Sequence, residues 1–285
     1  MGALRDQMDK DMVLRGMSPR TRESYLSAVR GLAKHYRKSP DTLTERDVQN
    51  YLLYLIEERK LAWSSCNIVV HGLKFFYHTT LRRDQMTFVI PRRRAPSRLP
   101  EMLSREEILA LFDAAPLLKH RVLLMTAYAA GLRVSELVHL RITDIDPNRM
   151  MIRVEQGKGA KDRYTVLSEQ LLAELRQYWK RERPAPWLFP ATRNPQAPMH
   201  AKTAQKVFYH CKQRAGIAKR CGIHSLRHAF ATHLLEGGTD IHRIQRLLGH
   251  GQVATTMRYF HLAQSSLMQT PSPLESLAAR VAIRR

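Results

Sequence analysis

The sequence predicts a mainly α fold with one small β-hairpin, an α+β arrangement in which helices dominate, divided into two parts. Three observations predict it. Apolar residues recur at helical spacing through most of the chain. Two short runs, 150–154 and 164–167, read instead as strands joined by a glycine-containing connection of hairpin type. At 91–100, three prolines and four arginines interrupt all apolar periodicity and leave no room for a helix or a central strand. The length of 285 residues agrees with a division into domains.

In residues 1–90 the signals are all helical. Ser18 supplies a cap with Pro19 in the first turn, and Tyr25, Leu26, Val29, Leu32, Ala33 and Tyr36 follow at helical spacing. A second helix starts near Thr44, with Asp47 three residues on and an apolar stripe of Val48, Tyr51, Leu52, Leu55 and Ile56. A third runs from about residue 64 to 77. Its Phe75, Phe76 and Tyr77, with Trp63 just before it, sit among aliphatic neighbours and read as core, not as base-stacking groups. The stretch 91–100 reads as a basic linker. Beyond it, Ser104 and Glu107 form a capping-box pattern opening a helix through Phe112. A second helix fills 117–130, the hairpin follows, and helices return at roughly 168–183, 203–215, 224–237, 240–248 and 252–260. This places one domain at 101–262 and a tail at 263–285.

Composition narrows the function. Forty-seven Lys and Arg stand against 25 Asp and Glu, a formal net charge of +22, which is more than solubility requires and points to a polyanionic partner. Both parts are basic: residues 1–100 carry 19 basic and 10 acidic side chains and the rest 28 and 15. A basic linker suits a chain lying along phosphates, with Arg92, Arg93 and Arg94 as candidate contacts. Hydrophobic content of 44% excludes wholesale disorder, and three scattered cysteines exclude a disulfide framework. The longest apolar candidate for a membrane span, 122–132, contains Thr126, Tyr128 and Gly131 and falls short of a bilayer crossing. The N-terminus has neither the apolar core of a secretory signal nor the acid-poor character of a transit peptide. The expectation is a cytoplasmic protein acting on nucleic acid, with no membrane partner.

Four islands carry the chemistry: Ala-Gly-Leu-Arg-Val-Ser-Glu-Leu at 130–137, Gly-Lys-Gly-Ala-Lys-Asp-Arg at 157–163, His-Ser-Leu-Arg-His-Ala-Phe-Ala-Thr-His-Leu-Leu at 224–235, and Leu-Gly-His-Gly-Gln-Val-Ala-Thr-Thr-Met-Arg-Tyr at 248–259. Singly, each has a bland explanation in caps, solvated turns or core histidines. Together they supply the parts for phosphoryl transfer without a metal. Two guanidiniums grip a phosphodiester and stabilise the added charge of a pentacoordinate transition state. Imidazoles and cations activate a phenol that is otherwise a poor nucleophile at neutral pH. A lysine on a hairpin can protonate the leaving 5′-oxygen.

At these residues the chain resembles the tyrosine recombinases of the phage integrase family, and within it the Xer-like branch. The resemblance covers nearly the whole chain. It implies an N-terminal helical core-binding domain of the SAM-like kind at 1–90 that binds DNA, and a mostly helical catalytic domain. It implies Arg133 as the first catalytic arginine, Lys158 as the hairpin lysine, His224 and Arg227 as the His-x-x-Arg pair, His250 as the third-motif histidine and Tyr259 as the nucleophile. It further implies strand exchange through a 3′-phosphotyrosyl link and a Holliday junction, a homotetramer on two duplex DNA sites, and no metal, ATP or other cofactor. A second recombinase or a DNA-bending protein is an open partner. The tail could dock on a neighbouring protomer. Residues 1–17 are too short for an arm-binding domain, which disfavours the large integrases that bridge distant sites.

Some alternatives stay open on the residues themselves. Lys161 competes with Lys158 as the hairpin lysine and, with Arg163, is otherwise a DNA-contact candidate. His228 and His261 could support the site or be incidental. Glu136 could orient Arg133 through an i,i+3 contact or be a surface acid. Cys211, Cys221, His224 and His228 contain metal-capable groups but lack the close cysteine pair of a zinc finger. Rival functions are a DNA-binding protein that does not cut, and a type IB topoisomerase that reseals the same strand.

Overall fold

The computed structural model describes residues 2–89, 101–155 and 162–257, and the chain divides into two compact units, Met1–Ser97 and Arg98–Arg285. The expected linker at 91–100 and the tail at 263–285 lie outside the described residues.

The first unit is built from α1 (Gly2–Leu14), α2 (Pro19–Tyr36), α3 (Glu45–Glu57) and α4 (Trp63–Lys74). Helix α2 begins where the Ser18 hydroxyl accepts from the Thr21 amide at 3.3 Å and Pro19 occupies a position whose N–H would have no helical partner. Helix α3 begins on a capping box: Asp47 N–H donates to the Thr44 hydroxyl at 3.3 Å, and the Asp47 carboxylate accepts from Thr44 N–H at 2.9 Å. Nothing in the sequence pattern announces α1. Acids and bases mix along it, and only Met8 and Met12, one turn apart, are buried; Arg22 ties it to α2 through both oxygens of Asp9 at 2.8 and 2.9 Å. The third expected helix also differs, because α4 widens into a π-helical turn at Phe75–Thr80. Three consecutive aromatics splay by about 100° per residue on an α-helix, and the wider turn brings Phe75, Phe76 and Tyr77 all into the core. Tyr77 then donates its hydroxyl to the Pro40 carbonyl at 2.7 Å. Trp63 is half-buried.

The second unit opens with α5 (Arg105–Asp113) on the expected Ser104–Glu107 capping box. Helix α6 (Leu118–Ala129) is its axis: Val122, Leu123 and Leu124 are fully buried, as expected of a helix apolar on every side. A turn leads to the short α7 (Val134–Val138) and then to an antiparallel sheet of β1 (Ile145–Asp146), β2 (Met151–Val154) and β3 (Arg163–Val166) in that order. Two strands were legible in the sequence; β1 has two residues, too few to show an alternating pattern. Helices α8 (Glu169–Glu182), α9 (Ala201–Arg214), α10 (His224–Glu236), α11 (Ile241–Leu248) and α12 (Val253–Met257) complete the unit. Fold class is therefore mainly α with a small sheet. Among the described residues no helix is long and apolar enough to cross a membrane.

Strand register decides which way the first side chain of β3 points. Ile152 pairs with Thr165 and Val154 with Arg163, and paired residues share a face. Ile152, Val154 and Thr165 are buried, so Arg163 starts β3 pointing toward the core side.

Candidate functional site

The site begins at the turn after α6. Gly131 adopts φ +59°, and a Cβ there would lie 2.4 Å from the Phe230 ring, so both the left-handed backbone and the close approach of α10 call for glycine. The turn delivers Arg133 as the N-cap residue of α7. Glu136, one turn on, accepts from the Arg133 backbone N–H at 2.8 Å and from its Nη1 at 2.6 Å. The i,i+3 contact is therefore present, and Glu136 is buried.

Two more arginines converge on the same carboxylate. Arg163 donates from Nη1 to Oε1 at 2.8 Å and from Nη2 to Oε2 at 2.7 Å, the bidentate fork-to-carboxylate geometry. Arg227 Nη1 lies 3.5 Å from Oε2. Burial alone would raise the carboxyl pKa of Glu136, but the bonds and charge of Arg163, with those of Arg133, hold it down at about 2. A buried carboxylate thus stays ionised and organises three guanidiniums.

Arg227 is itself buried, on the first turn of α10. Its Nη1 donates to the Gly131 carbonyl at 2.7 Å and its Nη2 to the Leu248 carbonyl. The guanidinium therefore joins the turn after α6 to the end of α11. That end is closed by Gly249 at φ +63°, where a Cβ would meet Arg163 Cδ at 2.7 Å. Arg163 Nε donates to the adjacent carbonyl, that of Leu247, at 2.9 Å.

His250 follows directly. Its Nδ1 shares a hydrogen bond with the Thr256 hydroxyl at 2.9 Å, and its backbone carbonyl accepts from Gln245 Nε2 at 3.0 Å. Partial burial, then the charges of Arg227, Arg133 and Arg163, push the imidazole pKa down to about 4. His224, at the start of α10 and exposed, is shifted in the same direction by water lost on its inner side and by Arg227 and Arg133, with Glu136 opposing. Both imidazoles are neutral at about pH 7 and able to accept a proton.

Arg133, His224, Arg227 and His250 are thus brought into one constellation from segments far apart in the chain. Arg163, a candidate DNA contact, lies within it, its side chain only 9% exposed. Lys158, Lys161, Tyr259 and His261, with Arg92, Arg93 and Arg94, lie outside the described residues. Sequence reasoning left Glu136 undecided and did not single out Thr256 or the inward aim of Arg163. The cross-strand pairing of Arg163 with Val154 was the signal for the last, and it needs the register. Among the described residues no three His, Cys, Asp or Glu side chains are grouped to hold a metal ion.

The phage integrase family model matches residues 101–266, and the phage integrase N-terminal SAM-like domain matches residues 4–87. A putative integrase/recombinase of Sinorhizobium fredii, y4qK, is 45% identical over 281 residues, 97% of this chain and 90% of that protein. Tyrosine recombinase XerD of Yersinia pestis is 35% identical over 276 residues, covering 90% and 91%. Among solved structures, XerA recombinase shares 29% identity at a TM-score of 0.56, covering 94% of this chain and 96% of that one. A lambda integrase fragment, a dimer bound to a COC′ core site, shares the fold at a TM-score of 0.73 and 19% identity, covering 90% and 96%. Since the family model spans more than half of the chain and the relatives match along nearly all of it, this chain belongs to the phage integrase family of tyrosine recombinases.

Proposed function

We propose that the chain is a site-specific DNA recombinase that cuts and rejoins duplex DNA through a 3′-phosphotyrosyl intermediate. The observation that carries this reading is the pair Arg133 and Arg227, fixed against one buried, ionised carboxylate. Two guanidiniums so placed form a preorganised receptor for a phosphodiester, and they cost no reorganisation when charge builds on the non-bridging oxygens. The phenol of Tyr259 attacks phosphorus, its proton passing to a neutral imidazole, His224 or His250. The new O–P bond forms as the bond from phosphorus to the 5′-oxygen breaks, and Lys158 supplies the proton that oxygen takes. In strand exchange a 5′-hydroxyl of the partner duplex attacks the phosphotyrosine, restoring the phenol and a phosphodiester. One phosphoester replaces another at each step, so the cycle needs neither ATP nor a metal.

The remaining assignments follow from the same reading. Residues 1–90 bind the duplex, 91–100 form a linker along its phosphates, 101–262 hold the chemistry, and 263–285 dock on a neighbouring protomer. The working assembly is a homotetramer on two paired DNA sites, acting in the cytoplasm, with a second recombinase or a DNA-bending protein as an optional partner. Solved relatives support the DNA part, among them XerH bound to difH substrate.

Covalent trapping tests the reading. A duplex selected by the purified protein from a random-sequence pool is nicked near its centre and incubated in chelator with wild type or Tyr259→Phe. The expected result is a denaturant-resistant protein–DNA adduct from wild type alone. Binding without any adduct from wild type would favour a protein that binds but does not cut. Joining of strands from different duplexes separates a recombinase from an enzyme that only relaxes DNA.

A further inference from the structure

We propose that Arg163 is a positioning residue of this site, which offsets the charge of Glu136 and so leaves the guanidiniums of Arg133 and Arg227 more of their positive charge for the phosphate. The inference rests on the strand-transfer reading of the site. It is carried by the bonds Arg163 makes, by the sum of the charges around Glu136, and by the segments the side chain joins.

All three guanidinium nitrogens of Arg163 are engaged by protein acceptors, Nε by the Leu247 carbonyl and Nη1 and Nη2 by Glu136. With 9% of the side chain exposed, Arg163 spends a donor of each guanidinium nitrogen on the protein itself. A lone carboxylate beside Arg133 and Arg227 would neutralise one of them. Three guanidiniums and one carboxylate leave a net of two positive charges. That number has a chemical meaning. A phosphodiester carries one negative charge, and addition of an oxyanion nucleophile creates a pentacoordinate transition state that carries two, so the positive charge that Arg163 restores beside Glu136 favours the transition state over the ground state.

Arg163 also acts mechanically. It is the first residue of β3, a few positions after the hairpin segment that contains Lys158. Its Nε holds the Leu247 carbonyl while Arg227 holds the neighbouring Leu248 carbonyl, so two arginines cap the end of α11 from which His250 emerges. Gly249 leaves room for the Arg163 stem. The base of the lysine hairpin and the His250 turn are therefore tied through one side chain.

The experiment compares wild type, Arg163→Met, Arg163→Gln and Arg163→Lys in single-turnover adduct formation on the nicked duplex at saturating protein, with duplex affinity measured separately. Arg163→Met is expected to slow the reaction on the order of 10²-fold, the loss typical of misplaced catalytic groups, with little change in affinity. Arg163→Gln can still donate to Glu136 but brings no charge, so it shows a similar loss and keeps the test decisive if the Met variant does not fold. Arg163→Lys keeps the charge without the fork and recovers part of the rate. In a double-mutant cycle, Arg163→Gln adds little to the defect of Glu136→Gln. A Gln or Met variant that reacts at the wild-type rate overturns the inference. So does a defect seen wholly in affinity, which would make Arg163 a DNA contact, or strict additivity with Glu136→Gln. Absence of adduct from wild type strikes the strand-transfer reading itself; a wild type that reacts beside unaffected variants strikes only the role of Arg163.

Discussion

Glu136 and the two histidines near it contribute to the acid sensitivity of the second unit. In the unfolded chain Glu136 binds a proton near its usual value of 4.5, but in the fold only at about 2. His250 titrates near 6.5 when unfolded and at about 4 in the fold, and His224 is lowered as well. For all three groups the unfolded state takes up the proton first, so stability falls as pH falls. The His250 part is lost from about pH 6.5 toward 4, the His224 part as pH falls below about 6.5, and the Glu136 part, on the order of 3 kcal/mol for so buried a carboxylate, from about pH 4.5 toward 2. Melting midpoints of wild type and Glu136→Gln between about pH 7 and 3 check this. Wild type is expected to lose stability throughout, and the variant to show a shallower fall below about pH 4.5. Parallel curves there would mean that Glu136 is not the titrating group. These residues were visible in the sequence as types and spacings, Arg133 and Glu136 as an i,i+3 pair and His224 with Arg227 likewise. Their convergence was not visible, because Arg163, Glu136 and Arg227 are separated by tens of residues and meet only when α10 packs on the turn after α6.

At the scale of the element, helix ends were the most legible features. Ser18, Thr44 and Ser104 each cap a helix through a side-chain oxygen, because an orphan N–H near a hydroxyl is a local matter that needs no tertiary context. The Ser104 box reaches further: Glu107 accepts from Ser104 N–H and also from Lys219 Nζ at 2.6 Å. Ser104→Ala is therefore expected to cost about 1 kcal/mol, read as a lower denaturation midpoint with an unchanged denaturant slope, while Arg105→Ala, one position on and exposed, changes it little. Equal midpoints for Ser104→Ala and wild type would refute the cap's contribution. The elements the sequence concealed are those whose signal is short or mixed. Helix α1 buries two methionines on a surface where charged and apolar residues mix, β1 is two residues long, and the π turn after α4 brings three consecutive aromatics into one core.

For the whole molecule the dominant quantity is the charge of +22. Basic side chains in both units release condensed counterions when they meet duplex DNA, and this contribution depends on salt and not on sequence. If the chain neutralises at least about six phosphates, its affinity for a random duplex should fall on the order of 10³-fold between about 50 and about 200 mM salt. Fluorescence anisotropy over that range measures the slope. A log–log slope shallower than about −2 would mean that most of the charge faces away from the DNA.

The sequence by itself determined the helical class, the two longer strands, the caps and the identities of the candidate reactive groups. All of these follow from local spacing, local propensity or composition. Family membership was legible for the same reason, since each of the four islands is a run of adjacent residues. Only the tertiary structure decided that Glu136 is a buried hub, that Arg163 turns inward at the start of β3, and that Gly131 and Gly249 are close-approach points for Phe230 and Arg163. Those facts depend on strand register and on helix packing between distant segments. A one-residue slip of β3 would turn Arg163 to the other face of the sheet, and no local pattern in 157–163 states which face that is.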